Sequence, residues 1–312
     1  MDKNFDAVYV TKPEFLSLLC EELNNVLFRC DDLVFSAQKK TDVCFAQDIW
    51  LDPELATFES ISEAAKILRQ KGKFWYLHPI SHVRRSRLIE EQLRQPPALV
   101  RHFPVQEKIP SIGAFSLLDK NTLIYTTKRF KKWPQGKCYF IEDKINPPNR
   151  AYLKLWEALT LLGQYPRPGD TALDLGASPG GWTYVMQSLG THVTAVDKAP
   201  LDPKIAQLPN INYLQQSAFA LDPMQLDRKY DWVLSDVACY PDRAYALIMK
   251  WIESEKAKQM IFTIKLQGKI NLSIIRQFQL IPNSYITNMF YNKHEVTFFI
   301  LLTNNKNYLQ FN

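Results

Sequence analysis

The stretch Asp174-Leu-Gly-Ala-Ser-Pro-Gly-Gly-Trp182 sets a carboxylate, three glycines and a proline between the apolar run Thr171–Leu173 and a helix-like segment, Thr183–Leu189. Strand, glycine-rich turn and helix together let a nucleotide-like ligand approach the backbone. A dinucleotide fingerprint spaces its glycines Gly-x-Gly-x-x-Gly and lays a pyrophosphate on the helix N-terminus. Here Gly176 is followed by Gly180 and Gly181, with Ala177, Ser178 and Pro179 between them. This broader loop, with Asp174 at its start, suits a ligand carrying an ammonium and a sulfonium, S-adenosyl-L-methionine, better than one carrying phosphates. An ordinary strand-to-helix turn is the plainer alternative. Asp197 ends the next strand, where an acid accepts hydrogen bonds from a ribose diol whichever nucleoside is bound. A turn residue before Pro200 would occupy the same place.

Four further charges stand where apolar patterning would not put them. Lys154 interrupts a helical spacing of Leu153, Leu155, Trp156, Leu159 and Leu162. Asp236 follows the strand-like run Trp232–Ser235, Lys265 follows Met260–Ile264, and Glu295 precedes Val296–Ile300. In an open α/β sheet the carboxyl ends of parallel strands surround the ligand crevice, so Asp236 and Lys265 are expected beside the glycine loop. Glu295 reaches the same rim if its strand runs antiparallel. Each charge alone reads as a solvated strand end, and only their convergence argues for a site.

These groups need a scaffold, and it begins after the pair Pro147-Pro148. Neither proline fits a helix interior and Asn149 can cap the next helix, which divides the chain into 1–146 and 147–312. After that point strands and helices alternate: strands at 171–175, 192–196, 211–214, 232–235 and 260–264, helices from 181, at 243–252 and at 272–278. Two closing strands, 285–290 and 296–302, form an antiparallel hairpin at one edge. The pattern predicts an α/β, Rossmann-like sheet, mainly parallel with helices on both faces. The first half predicts a smaller α+β domain, with a strand at 7–10, a helix over 15–27, and strands at 33–36, 43–46, 74–77 and 123–126.

Composition bounds the function. A hydrophobic content of 46% with 22% charged residues is that of a globular protein, and the apolar runs fall short of a membrane span. The acidic start Met1-Asp-Lys-Asn4 does not read as a signal peptide. Five scattered cysteines, none in Cys-x-x-Cys spacing, suggest reduced packing residues in the cytoplasm and no metal site. Charge is unevenly spread: residues 1–60 hold five Lys/Arg against twelve Asp/Glu, and residues 61–150 hold 18 against seven. That basic block implies a polyanionic partner, with Arg84, Arg85, Arg87, Lys128, Arg129, Lys131 and Lys132 as candidate RNA contacts. The run Lys128-Arg-Phe-Lys-Lys-Trp133 interleaves cations with aromatics, which joins phosphate attraction to base stacking.

At these residues the second half resembles the FtsJ-type RNA 2′-O-ribose methyltransferases. The likeness runs from Asn149 to Leu302. It rests on Arg150-Ala-Tyr-Leu-Lys-Leu-Trp-Glu157, the Asp174–Trp182 loop, Val196-Asp197, Ser235-Asp236, Phe262-Thr-Ile-Lys265 and His294-Glu-Val296. The resemblance implies a methyltransferase sheet, S-adenosyl-L-methionine as cofactor, and RNA, in particular ribosomal RNA, as substrate. It also implies a catalytic Lys-Asp-Lys-Glu tetrad on Lys154, Asp236, Lys265 and Glu295. Ser217 stands where the family usually has an Asp contacting the adenine amino group, and Val237-Ala-Cys239 replaces the common Met-Ala-Pro. In such a site Lys265 would take or direct the proton of the ribose hydroxyl, with Lys154 lowering its pKa or holding the hydroxyl and the carboxylates orienting both lysines. A non-catalytic RNA-binding or ribosome-assembly factor on the same fold is the alternative, and a methyltransferase for protein or a small molecule is another.

Overall fold

The tetrad lies along a sheet whose order is set by one reversed strand. The computed structural model describes residues 4–97, 100–107, 109–131, 133–268 and 270–301. Helix α1 (Tyr152–Leu162) ends at Gly163, whose left-handed φ of 64° suits a glycine cap. Then come β1 (Thr171–Leu175), α2 (Gly181–Ser188), β2 (His192–Asp197), α3 (Pro203–Ala206), β3 (Ile211–Gln215), β4 (Tyr230–Ser235), α4 (Pro241–Glu253), β5 (Ala257–Lys265), α5 (Leu272–Gln279), β6 (Ser284–Thr287) and β7 (Glu295–Leu301). Their order across the sheet is β3-β2-β1-β4-β5-β7-β6. Strands β1 to β5 are parallel, whereas β7 runs antiparallel to both β5 and β6.

The expected hairpin is present with two differences. β6 stops at Thr287 because residues 288–294 turn back on themselves, Asn292 accepting the Met289 backbone N–H through its side chain at 2.9 Å. The later strand of the hairpin lies inside the sheet and β6 forms the edge. Trp232, Trp251, Phe262, Phe278 and Phe298 are all fully buried in this unit. Burying a phenylalanine of this kind contributes about 1.5–3 kcal/mol.

By their contacts the described residues separate into two units, one comprising residues 4–101 with Gln106–Tyr139, the other His102–Val105 with residues 140–301. The division therefore falls ahead of Pro147-Pro148. Within the second unit the Phe103 ring stacks on Trp156, centroids 4.7 Å apart.

The first unit is α+β. One antiparallel sheet has the order Lys128–Arg129, Asp48–Leu51, Ala7–Val10, Leu33–Ser36, Val26–Cys30. A second runs Glu54–Thr57, Thr122–Thr126, Gly113–Leu117, Trp75–Leu77, the last pair parallel. The helix expected over 15–27 occupies only Leu16–Leu23. Asn24 turns left-handed (φ 61°) and Val26–Cys30 leaves as a strand. Residues 43–46 are buried without being a strand: the Glu22 carboxylate accepts the backbone N–H groups of Cys44 (2.8 Å) and Phe45 (3.2 Å), taking the place of a sheet neighbour. Helices Ile61–Lys71 and Val83–Glu91 were not expected. Among the described residues no helix is long and apolar enough to cross a membrane.

Candidate active site

Four elements bring the four charges to one rim. Lys154 sits in the first turn of α1, Asp236 immediately after β4, Lys265 at the end of β5 and Glu295 at the start of β7. Because β7 is reversed, Lys265 and Glu295 are direct register partners. Lys154 Nζ lies 2.9 and 2.8 Å from the two Asp236 oxygens and 2.9 Å from Glu295 Oε1. Lys265 Nζ lies 2.5 Å from Asp236 Oδ1 and also bonds Glu295 Oε2. Each ammonium thus bridges both carboxylates, and the charges of the four groups cancel. The Thr263 hydroxyl, one strand repeat before Lys265, donates to Asp236 Oδ1 at 2.5 Å. The side chains retain little solvent contact, between 7% and 17%.

This packing decides the protonation state. Burial pulls Lys265 toward neutrality, but Asp236 and Glu295 outweigh it and raise its pKa above the ordinary lysine value. The depressed Lys265 pKa expected from the second cation is corrected accordingly: the two carboxylates set the net direction, and at neutral pH Lys265 is an ammonium. Burial pushes the Asp236 carboxyl up, and the Lys154 and Lys265 ammonium groups more than reverse this, holding it below the usual carboxylate range.

Beside the tetrad runs the glycine loop. The Gly176 and Ala177 N–H groups donate to the Val196 carbonyl, tying the turn to β2. Gly176 has φ 81°, and a Cβ there would meet the Val237 Cβ at 2.8 Å. At Gly181 the backbone is ordinary, but a Cβ would approach Asn149 Oδ1 to 2.5 Å. Both glycines therefore allow close packing of loop, α1 and the segment after β4. Asn149, Asp174, Ser178 and Asp236 line a hollow of about 50 Å³ beneath the loop. The Trp182 indole donates to the Ala151 carbonyl at 3.0 Å, bracing the start of α2 against α1.

Asp174 faces inward. It is 1% exposed and accepts the Thr183 hydroxyl at 2.7 Å. Burial raises its pKa to about 7, opposed by Thr183 and assisted by the charge of Asp236. Its first role is to buttress the turn, and a cation bound above it would draw off its proton.

The donor set fits S-adenosyl-L-methionine. Gly180, the residue before α2, has no side chain to cap it, and Asp174 takes the Thr183 backbone N–H, so the earlier N–H groups of the turn could hold an α-carboxylate. Asp197 accepts the Ser178 N–H (3.0 Å) on one oxygen and the Ala199 N–H (2.9 Å) on the other, leaving lone pairs for a ribose diol. Ser217 lies beyond β3, its hydroxyl accepting the Phe219 N–H at 3.3 Å. The guanidinium of Arg243 sits 3.8 Å over the Phe219 ring. Neither this stack nor Asn149, Thr183 or Thr263 was singled out as a site residue from sequence. Only Asn149, with its capping position after two prolines, carried a signal that could have drawn attention.

The candidate RNA contacts separate. Arg84 and Arg87 are exposed on helix Val83–Glu91. Arg85 is half-buried over Phe58 and donates to the Glu59 carbonyl at 3.0 Å. Lys128 is exposed and pairs with Asp52 at 3.0 Å. Arg129 is a correction: its side chain is 3% exposed, its guanidinium lies 2.8 Å from the buried Asp48 carboxylate, and its Nε donates to the Ile112 carbonyl. Lys131 is also buried, at 4%, and its backbone N–H donates to Asp48. The unpaired Asp48 carboxylate would be costly in this interior, which explains why part of a basic run turns inward. Lys132 lies outside the described residues.

Residues 147–291 match the FtsJ-like methyltransferase family. The chain is 37% identical over 148 residues to "Ribosomal RNA large subunit methyltransferase M" of Halorhodospira halophila, covering 46% of this chain and 42% of that protein. The protein of the same name from Xanthomonas campestris pv. campestris is 29% identical over 276 residues, 82% of this chain and 76% of its own length. The chain spans about half the length, or less, of the first of these relatives. Among solved structures, magnesium protoporphyrin IX methyltransferase from Synechocystis PCC 6803 superposes with TM-score 0.32 at 17% identity, over 48% of this chain and 76% of that one.

Proposed function

We propose that the FtsJ-like methyltransferase domain at residues 147–291 works as an S-adenosyl-L-methionine-dependent 2′-O-ribose methyltransferase on RNA, with ribosomal RNA as the substrate class. The observation that carries this reading is the interlocked Lys154, Asp236, Lys265 and Glu295 beside the glycine loop. The donor, when bound, supplies a methyl group on a sulfonium, poised for attack by an oxygen.

The chain's residues supply the rest. Asp197 holds a ribose diol, the start of α2 holds a carboxylate, and the rim of β4 and β5 receives the RNA hydroxyl. Lys154 holds the hydroxyl oxygen and stabilises the negative charge that develops as its proton leaves. The proton goes to the neutral fraction of Lys265, a minority form at neutral pH. Alignment by the rigid tetrad therefore carries much of the rate, since well-oriented reactions gain up to about 7–11 kcal/mol. Arg84, Arg85, Arg87 and Lys128 are proposed to attract the RNA backbone, and the cytoplasm is the proposed place of action.

The test is transfer of labelled methyl from S-adenosyl-L-methionine to large-subunit ribosomal RNA, followed by digestion to nucleosides. Label in a 2′-O-methylnucleoside supports the reading. Binding of both ligands without transfer would make the protein a non-catalytic RNA-binding factor, and label in protein or a base would overturn the substrate.

A further inference from the structure

We infer that Glu157 is a positioning residue that fixes Glu295 by holding the loop from which β7 begins, an inference that rests on the proposed methyl transfer. Glu157 lies on α1, 5% exposed, and its two carboxylate oxygens accept the backbone N–H groups of Phe290 and Tyr291, each at 2.8 Å. A carboxyl so deeply placed on an apolar helix would be costly without hydrogen-bond partners, and these two N–H groups supply them.

The loop carries this grip to the tetrad. Asn292 Oδ1 accepts the Met289 N–H at 2.9 Å and the Thr297 hydroxyl at 3.1 Å. The Asn288 side-chain amide donates to the backbone carbonyl of Glu295 itself at 3.0 Å. Glu157 is one helical turn beyond Lys154, whose Nζ lies 2.9 Å from Glu295 Oε1. Helix α1 thus holds Glu295 twice, once by its carboxylate and once, through the loop, by its backbone. Nothing in the position of Glu157 brings it to the reacting atoms, so its effect on the reaction passes through Glu295.

The experiment uses the full chain with Glu157→Gln and Glu157→Asp. A glutamine presents one acceptor oxygen and turns its amino group on the other N–H, so one of the two loop bonds is lost. Hydrogen exchange at Phe290 and Tyr291 is expected to quicken about tenfold or more, as loss of a bond to a charged acceptor implies. In E157Q kcat is expected to fall about 100-fold with an unchanged KM for S-adenosyl-L-methionine, the size of effect that a misplaced group of about 1 Å produces. The Lys265 side chain, titrated by NMR, should lose its proton at lower pH because one neighbouring carboxylate has moved away. E157D, with both acceptors retained, should recover part of each effect.

Unchanged exchange at Phe290 and Tyr291 would overturn the clamp. Faster exchange with kcat and the Lys265 titration both unmoved would overturn the positioning role, as would a loss of kcat that follows melting temperature alone. If wild-type protein transfers no methyl group, the proposed function fails. The exchange and the Lys265 titration then still decide whether Glu157 positions Glu295.

Discussion

Lys265 and Glu295 face each other in register across β5 and β7, an ammonium and a carboxylate in contact between oppositely directed strands. An all-parallel sheet would deliver the start of β7 to the opposite end from the β5 rim. The reversal of β7 is what brings the fourth charge to the other three, and the rate-determining chemistry is expected to be sensitive to each member.

Replacing Lys265 with alanine should reduce methyl transfer about 10²–10⁴-fold, the usual scale of a lost acid–base group. Single-turnover measurement at saturating RNA and donor isolates the step, and calorimetry should find donor affinity little changed. Near-normal transfer by a folded Lys265→Ala protein would exclude this lysine from the proton's path.

The rate should rise with pH through the alkaline range, because the neutral form of Lys265 is scarce below its raised pKa. The same pairing gives a stability signature. Lys265's contribution is complete below 10.5 and lost as pH rises through its higher folded value. Asp236's is present above 3.8 and lost as pH falls through its depressed value. The melting-temperature gap between wild type and Asp236→Asn should therefore shrink below 3.8 and above 10.5, and between these limits change only where Asp174, whose pKa the Asp236 charge helps to raise, titrates.

Asp174 should work in the opposite sense. Its folded pKa of about 7 lies above the unfolded 3.8, so its buried charge costs stability increasingly as pH rises from 3.8 through 7. Asp174→Asn should raise the melting temperature of the free protein at pH 8, by about 2–4 °C per kcal/mol of relieved burial. At pH 4 it should not. Wild-type affinity for the cationic donor should increase from pH 6 to pH 8, and the variant should lose that dependence. A flat calorimetric affinity in the wild type would show that the donor and this carboxyl are not coupled.

The cations of the first unit should divide by burial. Arg129→Ala should destabilise that unit by about 3–5 kcal/mol, since it takes the guanidinium from the buried Asp48 carboxylate. Arg84→Ala and Arg87→Ala should leave unfolding unchanged while each lowers the salt slope of RNA binding by about 1. Filter binding across a salt series and denaturant titration read the two effects separately.

The second unit was legible because its strands are short apolar runs separated by helices and punctuated by glycine, with Asp236, Lys265 and Glu295 at the edges of runs and Lys154 breaking the apolar pattern of a helix. Lys265 and Glu295 could be placed at one rim from strand direction alone. Their protonation could not, because it depends on how closely Asp236 and Glu295 pack against the ammonium. The first unit hid more. Nothing local marks Asp48 as the partner of Arg129, far along the chain, so a buried cation read as part of a surface patch. The apolar stretch 43–46 likewise takes its hydrogen bonds from Glu22, a side chain that helical spacing reads only as a polar face.

Inserting β7 between β5 and β6 also constrains assembly. Among the described residues β6 pairs only with β7, so in that sheet its docking edge comes with the next strand in the chain. Synthesis therefore delivers Lys154, Asp236 and Lys265 well before the residue that completes them. The three can gather with one carboxylate for two ammonium groups, an uneven charge that should leave them loosely held. Entry of β7 closes the sheet edge, neutralises the excess and orders the rim in a single event, so a partly folded chain would hold the donor loop without a competent site.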